Sequence, residues 1–433
     1  MRAGLALFGL ALGLRLAYTW LAAGPHAAPY SDAADYDAIA WNLAGGHGFS
    51  MADAAGGFYP TAFRPPLVPW LTSLVYRAFG HRYLAALALQ CAIGAVVPLL
   101  AAWYGSAVFG TGVGLAAGVL CAFDPLLVFF SGYLLTETAF TAAVLLGLLL
   151  TAQWIKTPRP GRALGVGLAW GVATLARPTA LLLPALVAVW AWIPLGLTLA
   201  ARDRVRQLLF VALGVALVVG PWTLRNAAVM HAFVPVTTGG GRAFLDSNNA
   251  LVWGDPALRG GAESTYHLEP YAAHFQGLGE AAADREASRL AREFLAGHVA
   301  EWPAMAAAKL ARFWRLSSEA GATGSWRSGD SRLGALTRVV DPLLFWSLLT
   351  LPLALWGAAR VLSGPRRWFQ SLALLTIGYF TLLAVVYWGA LRTRVPIQPM
   401  VLLCSAVGFE DLRRRLRSRA RGFKVIEGRR KAS

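Results

Sequence analysis

A chain of 433 residues that is 57% hydrophobic and only 14% charged is too apolar for a water-soluble domain of that length, where about a quarter charged is usual. The formal charge of +17 would suit a nucleic-acid partner, but the basic residues fall in short clusters between long apolar runs, so nucleic acid is excluded as a partner and a lipid bilayer takes its place. The three cysteines, Cys91, Cys121 and Cys404, lie inside apolar runs and give neither a disulfide nor a metal framework.

In chain order, apolar runs occur near residues 3–23, 83–104, 107–123, 137–154, 163–177, 179–199, 207–222, 339–358, 369–388 and 396–410. Lipid offers the backbone no hydrogen-bond partners, and these runs do not alternate as barrel strands do, so they are helices. The expected fold is an all-α polytopic membrane protein, a bundle of roughly ten transmembrane helices with outer-face loops and juxtamembrane helices. Three clusters separate the runs: Lys156, Arg159 and Arg162; Arg202, Arg204 and Arg206; Arg360, Arg366 and Arg367. A denser basic tail spans 413–433. All four fall on one side, which positive-inside bias makes cytoplasmic, with both termini inside. The run after Arg2 could pass for a cleaved signal peptide. We read it as a retained anchor for the acidic loop behind it.

That topology sends residues 24–82 outside, with a short helix from Ala34 to Leu43 broken at Gly45–Gly46 and an interfacial helix from about Pro66 to Phe79. Residues 124–136 read as a short outer turn, and Arg177–Pro178 as a tight one. The division is 1–222 for an N-terminal transmembrane module holding the outer loop 24–82, 223–337 for a long outer segment, 338–412 for C-terminal transmembrane helices, and 413–433 for the tail. The segment 223–337 opens as a Gly-, Asn- and Asp-rich loop. It turns helical from Gly279 to about Leu316, with Lys309, Arg312 and Arg315 late, where the helix dipole favours them. Cytoplasmic loops are short, while outer loops mix carboxylates, arginines and aromatics, so the working face is the outer one.

Asp32, in Ser31-Asp-Ala-Ala-Asp-Tyr36-Asp, could be a general base or simply a helix cap. Arg64 could hold phosphate oxygens with its planar fork, or touch a headgroup. Glu137 at the mouth of an apolar run is a functional candidate by its cost, or an acid at a helix N-terminus. Arg177, Arg225, Arg392 and Arg394 sit at outer helix ends against the positive-inside bias. They bind an anion or pair with Asp32, Asp124, Glu137 and Asp246. Gly239-Gly-Gly241 lacks the strand–helix context of a nucleotide loop, and no histidine pair has metal-ligand spacing.

The stretch from Ser31 to Phe49, then Phe63-Arg-Pro-Pro-Leu-Val-Pro69, Leu135-Thr-Glu-Thr-Ala-Phe140 and Leu175-Ala-Arg-Pro178 form an ordered series. Gly220-Pro-Trp-Thr-Leu-Arg-Asn226, Phe233-Val-Pro-Val-Thr-Thr-Gly-Gly240, Asp284-Arg-Glu, Lys309-Leu-Ala-Arg-Phe-Trp314 and Leu391-Arg-Thr-Arg-Val-Pro396 continue it. Over about 1–412 the series resembles GT-C superfamily membrane glycosyltransferases. It is most similar to bacterial relatives of protein O-mannosyltransferase and of the aminoarabinose transferase that acts on lipid A. The resemblance implies a GT-C-like helical bundle and transfer of a sugar, hexose or pentose, from a polyprenyl-phosphate donor to a glycan, lipid or protein hydroxyl. It implies inversion at the outer face of a bacterial cytoplasmic membrane, with no obligatory cofactor or metal. It assigns Asp32 and Glu137 as catalytic and Arg64, Arg177, Arg225, Arg392 and Arg394 to donor phosphate. Asp35, Tyr36 and His47 would face substrate. Where the family often has Glu after the first aspartate this chain has Ala33, so an acidic pair requires Asp35. The competing readings are a transporter or lipid flippase, a lipid-diphosphate glycan ligase, and a receptor. The polar residues gather at outer loops rather than mid-helix, which disfavours transport.

Overall fold

The computed structural model describes residues 2–24, 27–314 and 342–430. The 337/338 boundary and Arg315 lie outside them. Helix α1 (Arg2–Ala23) leads to a compact layer at one end of the bundle. That layer holds α2 (Asp32–Ala44), a hairpin of β1 (Ser50–Ala52) and β2 (Phe58–Pro60), and α3 (Leu67–Phe79). The bundle continues with α4 (Tyr83–Phe109), α5 (Thr111–Phe123), α6 (Pro125–Ser131), α7 (Thr136–Lys156), α8 (Pro160–Ala176), α9 (Leu183–Gly196) and α10 (Ala201–Met230). After the outer segment come the helices Pro342–Ser363, Leu372–Val386 and Gln398–Arg430.

Among the described residues seven helices are long and apolar enough to cross a bilayer, or eight if the bent pair α5–α6 is one span. Leu372–Val386 is a shorter apolar helix. Each expected apolar run falls on a helix where it is described, which is compatible with a bundle of the expected size. Large apolar side chains such as Trp20, Val189, Leu209, Leu217, Leu355 and Leu382 are exposed along these helices, where lipid would cover them. The chain is a multi-pass membrane protein.

Packing in lipid has no hydrophobic drive between helices and relies on close backbone approach. Gly167 of α8 and Gly214 of α10 supply it: a Cβ on Gly167 would lie 2.1 Å from the Val211 carbonyl oxygen, and one on Gly214 2.5 Å from that of Leu164. Gly357 and Gly408 do the same where Pro342–Ser363 crosses Gln398–Arg430. The core centres on α7. Trp154 donates to Gln207 Oε1 at 2.9 Å and Trp170 to Thr151 Oγ1 at 3.2 Å, so both buried indoles are satisfied.

Two expectations change. Residues 124–136 are not an exposed turn. Asp124 caps α6 by accepting from Leu127 N at 2.9 Å, and α6 is bent by 56° from α5 with Leu126, Phe129, Phe130 and Ser131 buried. Pro125 at the first helical position lets a new helix start straight after the break. Buried Arg15 of α1 ties it down, donating to Ser131 Oγ (3.2 Å) and to the carbonyls of Cys121 (3.3 Å) and Ala122 (3.4 Å). Residues 223–226 are not loop either, because α10 runs on to Met230. Side chains of that last part hold the returning chain: Trp222 Nε1 donates to Val236 O, Thr223 to Pro235 O and Asn226 to Val234 O.

Candidate active site

The N-terminal ends of α2 and α7, the C-terminal end of α8 and the short helix Leu391–Arg394 converge. Asp32 opens α2, and its side chain does not cap that helix; the N-cap position is Ser31. Instead Asp32 Oδ1 accepts from Arg64 Nη2 at 2.6 Å and Oδ2 from Arg392 Nη1 at 2.5 Å. Arg64 also reaches Asp35 Oδ2 from Nη2 at 2.7 Å and from Nε at 3.0 Å. Asp32 and Asp35 are three apart on a helix and so share a face. Arg392 Nε continues to Glu137 Oε1, which also takes Arg177 Nη1 at 2.9 Å. Glu137 is fully buried in the first turn of α7, where the helix N-terminus also favours its charge. Three carboxylates and three guanidiniums thus alternate in one chain of contacts. Burial alone would raise the Asp32 carboxyl, but Arg392 and Arg64 outweigh it and hold it well below the usual carboxylate range.

The cluster lies on a cavity of about 650 Å³ lined by Asp32, Tyr36, Arg64, Arg177 and Arg392. One wall is apolar: Leu181 and Leu182 face Tyr379, Phe380 and Leu383. Gly239, Gly240 and Arg242 also line it. Arg242 lies 5.3 Å from the Phe63 ring centroid and 4.4 Å from that of Tyr266, and donates to Ser264 Oγ at 3.0 Å. Asp284 fixes its backbone, accepting from Gly241 N at 2.7 Å and Arg242 N at 3.3 Å. Burial pushes the Asp284 carboxyl up to about 6, against those two N–H groups.

Asp32, Asp35, Tyr36, Arg64, Glu137, Arg177 and Arg392 lie together. Three other expected residues do not. Arg225 clamps the hairpin, donating to Thr61 O at 2.6 Å and Phe49 O at 2.8 Å. Arg394 is buried and turns away, towards Trp314 O at 3.3 Å and Ser347 Oγ at 3.4 Å. Two positions along a helix lie about 200° apart, so Arg392 and Arg394 cannot serve one face. His47 is exposed and stacks on Phe58 with centroids 3.8 Å apart. Of the proposed acidic partners, Asp124 is taken by Gln398 Nε2 at 2.7 Å, and Asp246 accepts from Thr265 N at 2.9 Å. Arg242 and the aromatics of Leu372–Val386 were not legible as site residues. The discounted glycine run was the one signal that the chain approaches something closely there.

Residues 63–223 match the family model described as dolichyl-phosphate-mannose-protein mannosyltransferase. Among solved structures, AglB, the oligosaccharyltransferase of Archaeoglobus fulgidus, in complex with an inhibitory peptide and a dolichol-phosphate, is 14% identical with a TM-score of 0.59. That match covers 99% of this chain and 51% of that one. The same organism's oligosaccharyltransferase in complex with Zn and sulfate gives 15% identity, a TM-score of 0.57, and coverage of 98% and 51%. ArnT from Cupriavidus metallidurans, bound to undecaprenyl phosphate, is 13% identical over 94% of this chain and 77% of that one. Its TM-score of 0.45 is too low to bear on the fold. No curated protein sequence matches. The chain has the fold of the GT-C superfamily of membrane glycosyltransferases. It spans about half the length of the archaeal oligosaccharyltransferases it matches.

Proposed function

We propose that the protein transfers a sugar from a polyprenyl-phosphate donor to an acceptor hydroxyl at the outer face of a bacterial cytoplasmic membrane. The observation that carries this reading is the arginine–carboxylate cluster at the head of a cavity whose far wall is apolar. That pairing suits a lipid phosphate: headgroup on Arg177, Arg392 and Arg64, chain between Leu181–Leu182 and the Tyr379–Leu383 face. The family match to a dolichyl-phosphate-mannose enzyme and the dolichol-phosphate on the archaeal relative support the donor class.

In this reading the acceptor oxygen attacks the anomeric carbon as the bond to phosphate oxygen breaks, and the electron pair leaves with polyprenyl phosphate. Asp32, kept ionised, takes the hydroxyl proton late in the step. The guanidiniums meet charge growing on the leaving phosphate. Attack opposite the leaving group inverts the configuration. Glu137 is the buried counter-charge that holds Arg177 and Arg392 in register and is a positioning residue. Three arginines already stabilise the leaving group, so we propose that no divalent ion is obligatory. Turnover that survives EDTA would support this.

Purified protein in detergent, offered a panel of polyprenyl-phosphate sugars with a crude acceptor fraction, should release polyprenyl phosphate. Asp32→Asn should lose that release. No release from any donor by folded wild type would favour a transporter or a diphosphate ligase. Release that survives the substitution would remove Asp32 as base.

A further inference from the structure

A second cavity of about 320 Å³ lies on the other side of Arg64 and Phe63. The two cavities share Phe63, Arg64 and Arg242 as a wall. The second is lined further by Asp35, Met51 and Tyr59. Its construction is rigid. Tyr59 pairs with Met51 across the hairpin, which puts both side chains on one face. Asp53 Oδ1 closes the turn, accepting from Ala55 N at 2.9 Å and Gly57 N at 2.7 Å. Arg225 clamps both hairpin ends, and Glu280 anchors the chain just beyond by accepting from Thr61 Oγ1 (2.8 Å) and Ala62 N (2.9 Å).

The pocket's chemistry is specific in type. Its charged groups, Asp35 and Glu280 against Arg64 and Arg242, balance. A phosphorylated ligand would face two carboxylates, and a cationic one two guanidiniums. The bonds from Arg64 land on Oδ2 of Asp35, and Oδ1 accepts from none of the described residues. Tyr59 is 46% exposed and has no aromatic or cationic partner among the described residues. A free aromatic face beside an acceptor oxygen and guanidinium donors is what a neutral, polyhydroxylated ring needs.

We propose that this second pocket is the acceptor subsite and that the acceptor is a neutral glycosyl unit, stacked on Tyr59 with a hydroxyl on Asp35. The inference rests on the transferase reading above. In-line displacement needs the nucleophile on the side of the sugar away from the leaving phosphate. Arg177 and Arg392 fix the phosphate in the first cavity, and one guanidinium nitrogen, Arg64 Nη2, joins Asp32 there to Asp35 here.

The test uses the full chain in detergent, with three acceptor probes. They are methyl glycosides of neutral hexoses, a methyl hexoside 6-phosphate, and a threonine-containing peptide. The neutral glycosides should stimulate polyprenyl-phosphate release most strongly. Tyr59→Ala should raise their KM about fivefold or more while the donor KM moves less than about twofold, and Tyr59→Trp should restore the value. Saturation-transfer NMR with the methyl glycosides alone needs no turnover. It should show binding to wild type that Tyr59→Ala loses. Preference for the peptide or the phosphorylated sugar, a donor KM that rises in step with the acceptor KM, or NMR binding untouched by Tyr59→Ala would each overturn the proposal. Glycoside binding at Tyr59 without release from any donor would uphold the pocket and overturn the transferase reading instead.

Discussion

Asp32 is flanked by two guanidiniums, and that fixes both its charge and its pH behaviour. Its folded pKa is depressed, so the stability it contributes is present above the unfolded value of about 3.9 and is lost only as pH falls through the folded value. The acid limb of donor kcat/KM should therefore lie below about pH 5. A midpoint near 6 would mean that the Arg64 and Arg392 contacts open before reaction. Arg392→Gln removes a donor to both Asp32 and Glu137, and should lower kcat/KM by about 10²-fold or more, as loss of one transition-state donor does. Asp284 has the opposite sign. Its folded carboxyl is raised to about 6, so the stability it contributes is greatest below the unfolded value and is lost as pH rises towards 6. Asp284→Asn should therefore gain melting temperature relative to wild type between pH 4 and pH 7. Thermal scans in detergent at the two pH values check this. Arg394 and Arg225 show the limit of residue-level reading. An arginine at an outer helix end reads alike whether it faces a cavity, a backbone clamp or the bundle interior.

At the scale of elements, the helices were legible because lipid leaves an apolar run no other structure. The short outer helices were legible from their glycine and proline punctuation. The helix α6 was not, because residues 124–136 are too short to span and were read by length. What holds α6 in the bundle is the Asp124 cap, the bond from Gln398 and the reach of Arg15. The glycine crossings were equally hidden, since glycine alone does not say which backbone comes near. Gly167→Val would drive its side chain into the Val211 carbonyl of α10 and should abolish a cooperative melt or lower its midpoint sharply. Gly165, with open space at its Cβ position, is the control, and Gly165→Ala should melt as wild type does.

Across the whole molecule, the basic loops gather at the end opposite the site. Lys156 donates to Ala107 O and lies 5.5 Å from the Phe369 ring, and Trp190 Nε1 bonds Ser371 Oγ at 3.1 Å. These contacts bring the ends of α4, α7 and α9 together beside the 364–371 turn. The arginine–carboxylate cluster occupies the other ends. We therefore expect an impermeant maleimide to label Ala55→Cys in intact cells and Arg202→Cys only after permeabilisation. The native Cys91, Cys121 and Cys404 are buried and add little background.

Composition and charge by themselves determined that this chain is a helical membrane protein, and the ordered motifs pointed to its fold. Both follow from local rules: apolar length forces helices, and basic loops set their sense. They also marked the outer helix ends as the place where Asp32, Arg64, Glu137, Arg177 and Arg392 would be found. Which arginines share one cavity was decided only by tertiary structure, because that depends on the angle at which each helix end meets its neighbours. The same is true of the Tyr59 pocket. Its walls come from residues 35 to 283, and no local pattern records that a hairpin, α2 and a distant helix close around one space.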